Sequence, residues 1–345
     1  MTNTIVRILS DEGCDGISGI STFSSTGFDF SVAETLRQLM PELIGIDPLA
    51  REYAWHRTRP STLPVPLSAQ SAIDIALWDL LGKRVGLPVW QLVGGMRDRI
   101  PAYASTPMLQ SAEDYVNFVT QLRERGFRAI KFHAWCEPDR DLEMVRMVRR
   151  NHGDSGVKFM FDAENRYDRG SALRVAHELE DLGFHWFEAP LPDLDLDGYR
   201  ELRKRVQIPI LPAGNWLLDL QGVNHALITG AWDAARTDVC VCGGITAAQR
   251  IMAVAQAANS QCELQCWGYT LSQAANLHVM LGLSNCSFFE QPVPEDAYEF
   301  GMIDVIRTHE DGYVHAPSGA GLGVRVDWDA AKAVAQRKIQ YPMRG

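Results

Sequence analysis

Phe127-Arg-Ala-Ile-Lys-Phe132 follows Gly126 and sets the reading of the whole chain. Gly126 stops a helical pattern over 111–125, and the run after it is short, apolar and strand-like. Lys131 stands at its end. The same arrangement recurs downstream, where apolar runs close on Asp162, Glu188, Asn215, Asp238, Gln265 and Glu290, at gaps of 31, 26, 27, 23, 27 and 25 residues. A strand–helix–strand unit takes about 30 residues, and a barrel of eight such units about 250. The spacing therefore predicts one polar side chain at the C-terminal tip of each successive barrel strand. Those tips converge on one mouth, where barrel enzymes keep their chemistry.

The alternation begins at Ile100-Pro-Ala-Tyr-Ala104. Further strands are predicted at Phe159-Met-Phe161, Trp186-Phe187, Ile208-Pro-Ile-Leu211, Ala234-Ala-Arg-Thr237, Cys262-Glu-Leu264 and Ser287-Phe-Phe289, with helices such as 170–182 and 246–259 between them. Alternating strands and helices mean a parallel sheet, and eight strands at this period mean a barrel. A doubly wound open sheet would often carry a Gly-rich phosphate loop, and the chain has no GxGxxG. Ahead of the barrel, residues 4–9 read as a strand, 13–30 as a mobile Gly/Ser/Thr-rich loop poised to cover the mouth, 31–43 as a helix, and 71–83 as a helix with Ser71 as N-cap. This predicts a small α+β domain over 1–98 and a barrel over 99–294. The segment 295–345, with Gly319-Ala-Gly-Leu-Gly323, has room to fold back on the first domain.

Composition narrows the class. The 345 residues are 46% hydrophobic, enough for a large core, and the net charge of -10 without a Lys/Arg-rich run argues against a nucleic-acid surface. No apolar stretch approaches the roughly 20 residues of a membrane span, and the first residues lack the pattern of a signal peptide. A cytoplasmic location is expected. Seven cysteines are read as free, mostly buried thiols. A zinc site at Cys240/Cys242 and Cys262/Cys266 lacks the accompanying CxxC or HxxxH pair.

Asp162, Glu188 and Asn215 fall on three neighbouring strand tips, and two carboxylates with an amide oxygen suit Mg²⁺. Glu164, two residues past Asp162, is a further oxygen donor. The alternative is that each residue caps a helix or pairs with an arginine. Lys131 and His133 alternate in one strand and face the same side. A lysine beside another cation has its pKa lowered and serves as a general base. His133 supplies that cation when protonated, or is instead a hydrogen-bonded wall residue.

The runs 71–83 (Ser71-Ala-Ile-Asp-Ile-Ala-Leu-Trp-Asp-Leu-Leu-Gly-Lys83), Leu92-Val-Gly-Gly95, Lys131-Phe-His133, Phe161-Asp-Ala163, Trp186-Phe-Glu-Ala-Pro-Leu191, Thr237-Asp-Val239, Gly243-Gly-Ile-Thr246 and Phe289-Glu-Gln-Pro292 together resemble the enolase superfamily, in its mandelate racemase/muconate lactonizing group. The resemblance covers nearly the whole chain. It implies a (β/α)₇β TIM-like barrel with an α+β capping domain made from both chain ends. It also implies Mg²⁺ holding a substrate carboxylate while a base removes the neighbouring proton to give an enediolate, the chemistry for which this superfamily uses a Lys or His base. A homo-oligomer is implied as well.

The departures are as specific. The family's third metal ligand is usually Glu or Asp, and here it is Asn215. Asp238 matches the Asp of a His–Asp pair, but Leu264-Gln-Cys-Trp-Gly268 puts Gln265 where that His belongs. The second residue of the family's Lys-x-Lys is His133, and the first strand and substrate-covering loop read as shortened. The expected function is a Mg²⁺-dependent lyase that dehydrates a small hydroxylated carboxylate, a sugar acid. Lys131 is its base, His133 tunes that base, and Glu290 and Gln265 contact the developing oxyanion or the leaving hydroxyl. A racemase or epimerase is the alternative enzyme, and a silent carboxylate-binding relative the alternative of another class.

Overall fold

The computed structural model describes residues 2–21, 26–59, 66–153 and 155–341. Strands β1 (Thr4–Leu9) and β2 (Asp15–Ile20) form an antiparallel hairpin. They are followed by helices α1 (Thr26–Leu39), α2 (Arg51–Thr58), α3 (Leu67–Val85) and α4 (Val89–Val93). Strict alternation then begins: β3 (Arg99–Ser105), α5 (Ala112–Glu124), β4 (Ala129–His133), α6 (Pro138–His152), β5 (Lys158–Asp162), α7 (Arg169–Asp181), β6 (Trp186–Glu188), α8 (Leu196–Arg203), β7 (Ile210–Leu211), α9 (Leu220–Ile228), β8 (Ala235–Thr237), α10 (Ile245–Ala257), β9 (Cys262–Leu264), α11 (Thr270–Gly282) and β10 (Phe289–Pro292). Seven helices between eight parallel strands make the (β/α)₇β barrel. Its ladders run β10-β3-β4-β5-β6-β7 and β8-β9, and the bond from Asp233 N to the Ile210 carbonyl (3.0 Å) ties the approach to β8 against β7. Strand β11 (Tyr313–His315) adds antiparallel to the outer end of β3.

Helix α3 is apolar nearly all round, as a helix buried on every side must be. Its residues from Ser68 to Leu80 are all buried. It packs on β2, and its far face meets the barrel: Asp74 accepts from Thr246 N (2.9 Å) and Thr246 Oγ1 (2.6 Å) at the start of α10. The distal tail closes the same region. Leu322 N donates to Asp79 Oδ1 (2.7 Å), and Val89 N to the Gly321 carbonyl (2.9 Å). Among the described residues no helix is long and apolar enough to cross a membrane. All seven cysteines are free, five of them buried.

Three local expectations are corrected. The glycine-rich stretch 13–30 is not one loop. Residues 15–20 are strand β2, helix α1 starts at Thr26, and positions 22–25 of the expected lid lie outside the described residues. Two of its glycines mark close packing: a β-carbon on Gly16 would sit 1.9 Å from the Ala76 carbonyl oxygen, and one on Gly19 2.8 Å from Leu271 Cβ. The helix expected over 31–43 begins at Thr26 and ends in a 3-10 turn, Met40–Leu43. Ser71 is not an N-cap. It lies one turn inside α3, and its hydroxyl accepts from Gly243 N (3.0 Å), joining α3 to the barrel.

Candidate active site

Strand register stacks the mouth in layers. Asp162 pairs level with His133 on one side and Glu188 on the other, so these three form the rim. Lys131 pairs level with Ser105 and Met160, two residues or about 7 Å lower along the strand. It reaches upward. Lys131 Nζ lies 2.8 Å from Glu188 Oε1, 2.9 Å from Glu290 Oε1 and 3.1 Å from Asp162 Oδ2, with the side chain 2% exposed. Arg236, in β8, enters from the opposite wall. Its Nε approaches Glu188 Oε1 at 2.9 Å without hydrogen-bond alignment, and its Nη2 donates to Glu290 Oε2 (3.0 Å) and Tyr103 Oη (3.2 Å). Ser105 Oγ and Cys266 N complete the shell of Glu290 at 2.8 and 3.1 Å. Three carboxyl groups thus face two cations in a buried interior.

That composition governs protonation. Burial raises the Asp162 carboxyl, but Lys131 and His133 outweigh it and hold the group down at about 2. Glu290 is held far below the usual carboxylate range against its burial, by Lys131 and Arg236. Glu188 sits between them. Burial pushes it up to about 8, aided by Asp162 and Glu290 and opposed by Arg236 and Lys131. The cluster has one negative charge in excess, and of its three carboxyls Glu188 has the surroundings that most favour the protonated form. Lys131 is raised well above its ordinary range: burial lowers it, and Glu188 and Glu290 overcome that. We regard Lys131 as permanently charged, because three oxygens hold it whichever carboxyl carries the shared proton. The surroundings differ from those expected of a lysine whose pKa a neighbouring cation lowers: three carboxyls lie within 3.1 Å of its Nζ. Lys131 is an ion-pair hub.

His133 stands above that hub. Its Nδ1 lies 2.6 Å from the Thr106 carbonyl oxygen, which accepts only, so Nδ1 carries the hydrogen. Nε2 faces the rim, 3.5 Å from Asp162 Oδ2, and the Trp267 ring packs edge-on at 5.1 Å.

The oxygen donors fit a hard divalent cation. Glu188 Oε1 is taken by Lys131 and Arg236, while Oε2 is buried with no donor pointing at it. The Asp162 carboxyl is within hydrogen-bonding reach of Glu188, as an acceptor for the Glu188 proton. Two facing acceptors need something positive between them. Asn215 sits on the loop after β7, exposed, with its backbone N–H held by buried Asp193 (2.9 Å). Its Oδ1 accepts from Gln265 Nε2 (3.0 Å), which also donates to the Ala213 carbonyl (2.6 Å). Glu164 is exposed. Its backbone N–H, not its carboxylate, serves the site, by bonding Asp162 Oδ1 (2.9 Å). Asp238 is bound by Cys240 N and Asn276 Nδ2, both at 2.7 Å, and burial raises it to about 6. Arg236 and Tyr103 escaped the sequence reading. The signal for Arg236 was present: it stands two residues before Asp238, as Lys131 stands two before His133.

Residues 2–94 match the mandelate racemase/muconate lactonizing enzyme N-terminal domain, and residues 114–330 the enolase C-terminal domain-like family. The chain belongs to the enolase superfamily. A D-galactarolactone cycloisomerase from Agrobacterium fabrum is 29% identical, over 84% of this chain and 80% of its own. A D-galactonate dehydratase from Cronobacter sakazakii is also 29% identical, over 96% and 90%. Among solved structures, a Pseudovibrio sp. protein assigned to the mandelate racemase/muconate lactonizing enzymes is 41% identical with a TM-score of 0.94, covering 97% of this chain and 90% of its own. A racemase from Streptomyces coelicolor with bound magnesium is 26% identical with a TM-score of 0.85, covering 96% and 91%. This superfamily member is an enzyme of the lyase or isomerase kind.

Proposed function

We propose that this chain is a Mg²⁺-dependent dehydratase of a sugar acid, working by removal of the proton next to the substrate carboxylate. Asp162, Glu188 and Asn215 are the residues that would hold the metal. When bound, a divalent cation supplies charge neutralisation for the substrate carboxylate as the α-carbon loses its proton.

The observation that carries the reading is the division of labour between Lys131 and His133. Lys131 is committed to three carboxyls, so it maintains charge and moves no proton. His133 presents Nε2 at the rim in a fixed tautomer, and a general base must reach its proton from such a position. His133 takes the α-proton, and the electron pair of the broken C–H bond passes into the carboxylate. Collapse of that electron pair expels the β-hydroxyl, which takes the proton back from His133 and leaves as water. The proton balance closes on one residue. Racemisation requires a proton carrier on each face, and on the opposite wall Gln265 offers an amide already tied to Ala213 and Asn215.

A panel of sugar acids incubated with Mg²⁺ in deuterated water tests this. The expected result is a keto acid, one water lighter than its parent. An epimer with deuterium entering on both faces would overturn the dehydratase reading in favour of the racemase. A protein that binds no Mg²⁺ and exchanges no proton would overturn the enzymatic reading altogether.

A further inference from the structure

Beneath the rim lies a charged residue that the reaction as drawn does not touch. Arg236 is 1% exposed, below the layer of Lys131 and its carboxyls and against apolar and aromatic side chains such as Tyr103. A guanidinium held at that depth requires compensation, and Glu188 and Glu290 provide it. Its Nη1 has no partner, so the side chain is not placed there to satisfy its own hydrogen bonds. What it does is divide the Glu188 carboxyl. Together with Lys131 it occupies Oε1 from two sides, at 2.9 and 2.8 Å, and leaves Oε2 as the free oxygen beside Asp162. On Glu290 it takes Oε2, while Lys131 and Ser105 take Oε1. The guanidinium thereby engages both carboxyls at once, by a hydrogen bond to Glu290 Oε2 and by an ion-pair contact that crowds Glu188 Oε1, and its flat, spread charge spans the two where a single ammonium would not. Tyr103 Oη, 3.2 Å from Nη2, steadies it from the wall.

We propose that Arg236 is a positioning residue for the metal: it turns Glu188 so that Oε2 alone is presented to a divalent cation. The inference rests on the metal reading given above, and it makes a prediction opposite in sign to simple charge counting. Removing a cation near a metal site tightens metal binding if Coulomb attraction is all that matters. Removing Arg236 instead loosens binding, because Glu188 is no longer aimed. Outer-shell partners of metal ligands typically contribute about 10–100-fold in affinity.

The test is calorimetric titration of the full-length protein with MgCl₂ alone, for the parent, Arg236→Lys and Arg236→Met. Both variants are expected to bind at least roughly tenfold more weakly, with Arg236→Lys retaining the parent's secondary structure and melting behaviour. Unchanged affinity in Arg236→Lys, or tighter affinity in Arg236→Met, overturns the inference. If neither variant folds, Tyr103→Phe decides: it removes one of the two acceptors of Nη2, leaving only Glu290 to hold the guanidinium, and should weaken Mg²⁺ measurably, and unchanged affinity there overturns the inference as well. A parent protein that binds no Mg²⁺ defeats both this inference and the metal reading, whereas a binding parent with indifferent variants defeats this inference alone.

Discussion

Replacing Lys131 by methionine keeps the length of the side chain and deletes its charge, which separates a hub from a base. In the metal-free protein Glu188 and Glu290 would then face Arg236 as their one remaining cation, and Asp162 only His133. Removing one partner of a buried ion pair typically costs about 3–5 kcal/mol, because the remaining charge stays buried and uncompensated. Lys131 is nearly inaccessible to water, so no solvent screening reduces that figure. For a chain of this size the loss corresponds to roughly 5–10 °C in melting temperature. Saturating Mg²⁺ restores part of it, since a ligand at about 100 times its Kd adds about 2.7 kcal/mol and a divalent cation replaces the missing positive charge. Melting the parent and Lys131→Met in EDTA and again in excess Mg²⁺ gives all four values. A variant that melts within about 1 °C of the parent in EDTA would refute the hub, and with it the argument that His133 is the proton acceptor.

Three further outcomes are expected. His133→Asn retains a donor for the Thr106 carbonyl but has no basic nitrogen, so turnover and α-deuterium exchange should fall about 10²–10⁴-fold while Mg²⁺ affinity holds; undiminished exchange would return the base to Lys131. Glu188, with its carboxyl at about 8 in the metal-free protein, must lose its proton for a cation to bind. Mg²⁺ affinity should therefore climb as pH rises from about 6 to 8, with about one proton released near pH 7 in calorimetry across buffers of different ionisation enthalpy. The sign for stability is the reverse: a carboxyl raised on folding stabilises fully below its ordinary 4.5 and loses that contribution as pH rises through about 8. Asp74→Ala deletes the acceptor of two bonds from Thr246 at the junction of α3 and barrel, and should cost roughly 3 kcal/mol in urea unfolding; a loss under about 1 kcal/mol would mean that water replaces the carboxylate there.

Periodicity carried most of the architecture. The strand tips were legible because each is an apolar run ending in a polar residue, and a parallel barrel repeats that signature at nearly constant spacing. What failed was local. Gly16 and Gly19 read as flexibility because glycine's two uses, left-handed turns and close packing, look alike without the neighbour that approaches. Ser71 looked like a cap because the apolar run begins there, yet the helix starts four residues earlier behind Pro66, and the hydroxyl serves a partner 172 residues away. In the candidate site, residue types pointed to one wall, but the choice between Lys131 and His133 depends on depth. Strand alternation gives the face and not the layer. Only the pairing of His133 with Asp162, and of Lys131 with Ser105, separates them.

The bond between Asp79 and Leu322 spans 243 residues of chain. At a synthesis rate of about 5–20 residues per second, Asp79 is made roughly 12–50 s before its partner exists. Through that interval α3 already has β2 to pack against, while the barrel that meets its far face is still being made and the tail that caps it comes last. The amino-terminal quarter of this enzyme is therefore assembled one face at a time, and the first domain is finished only when almost the whole chain has been synthesised.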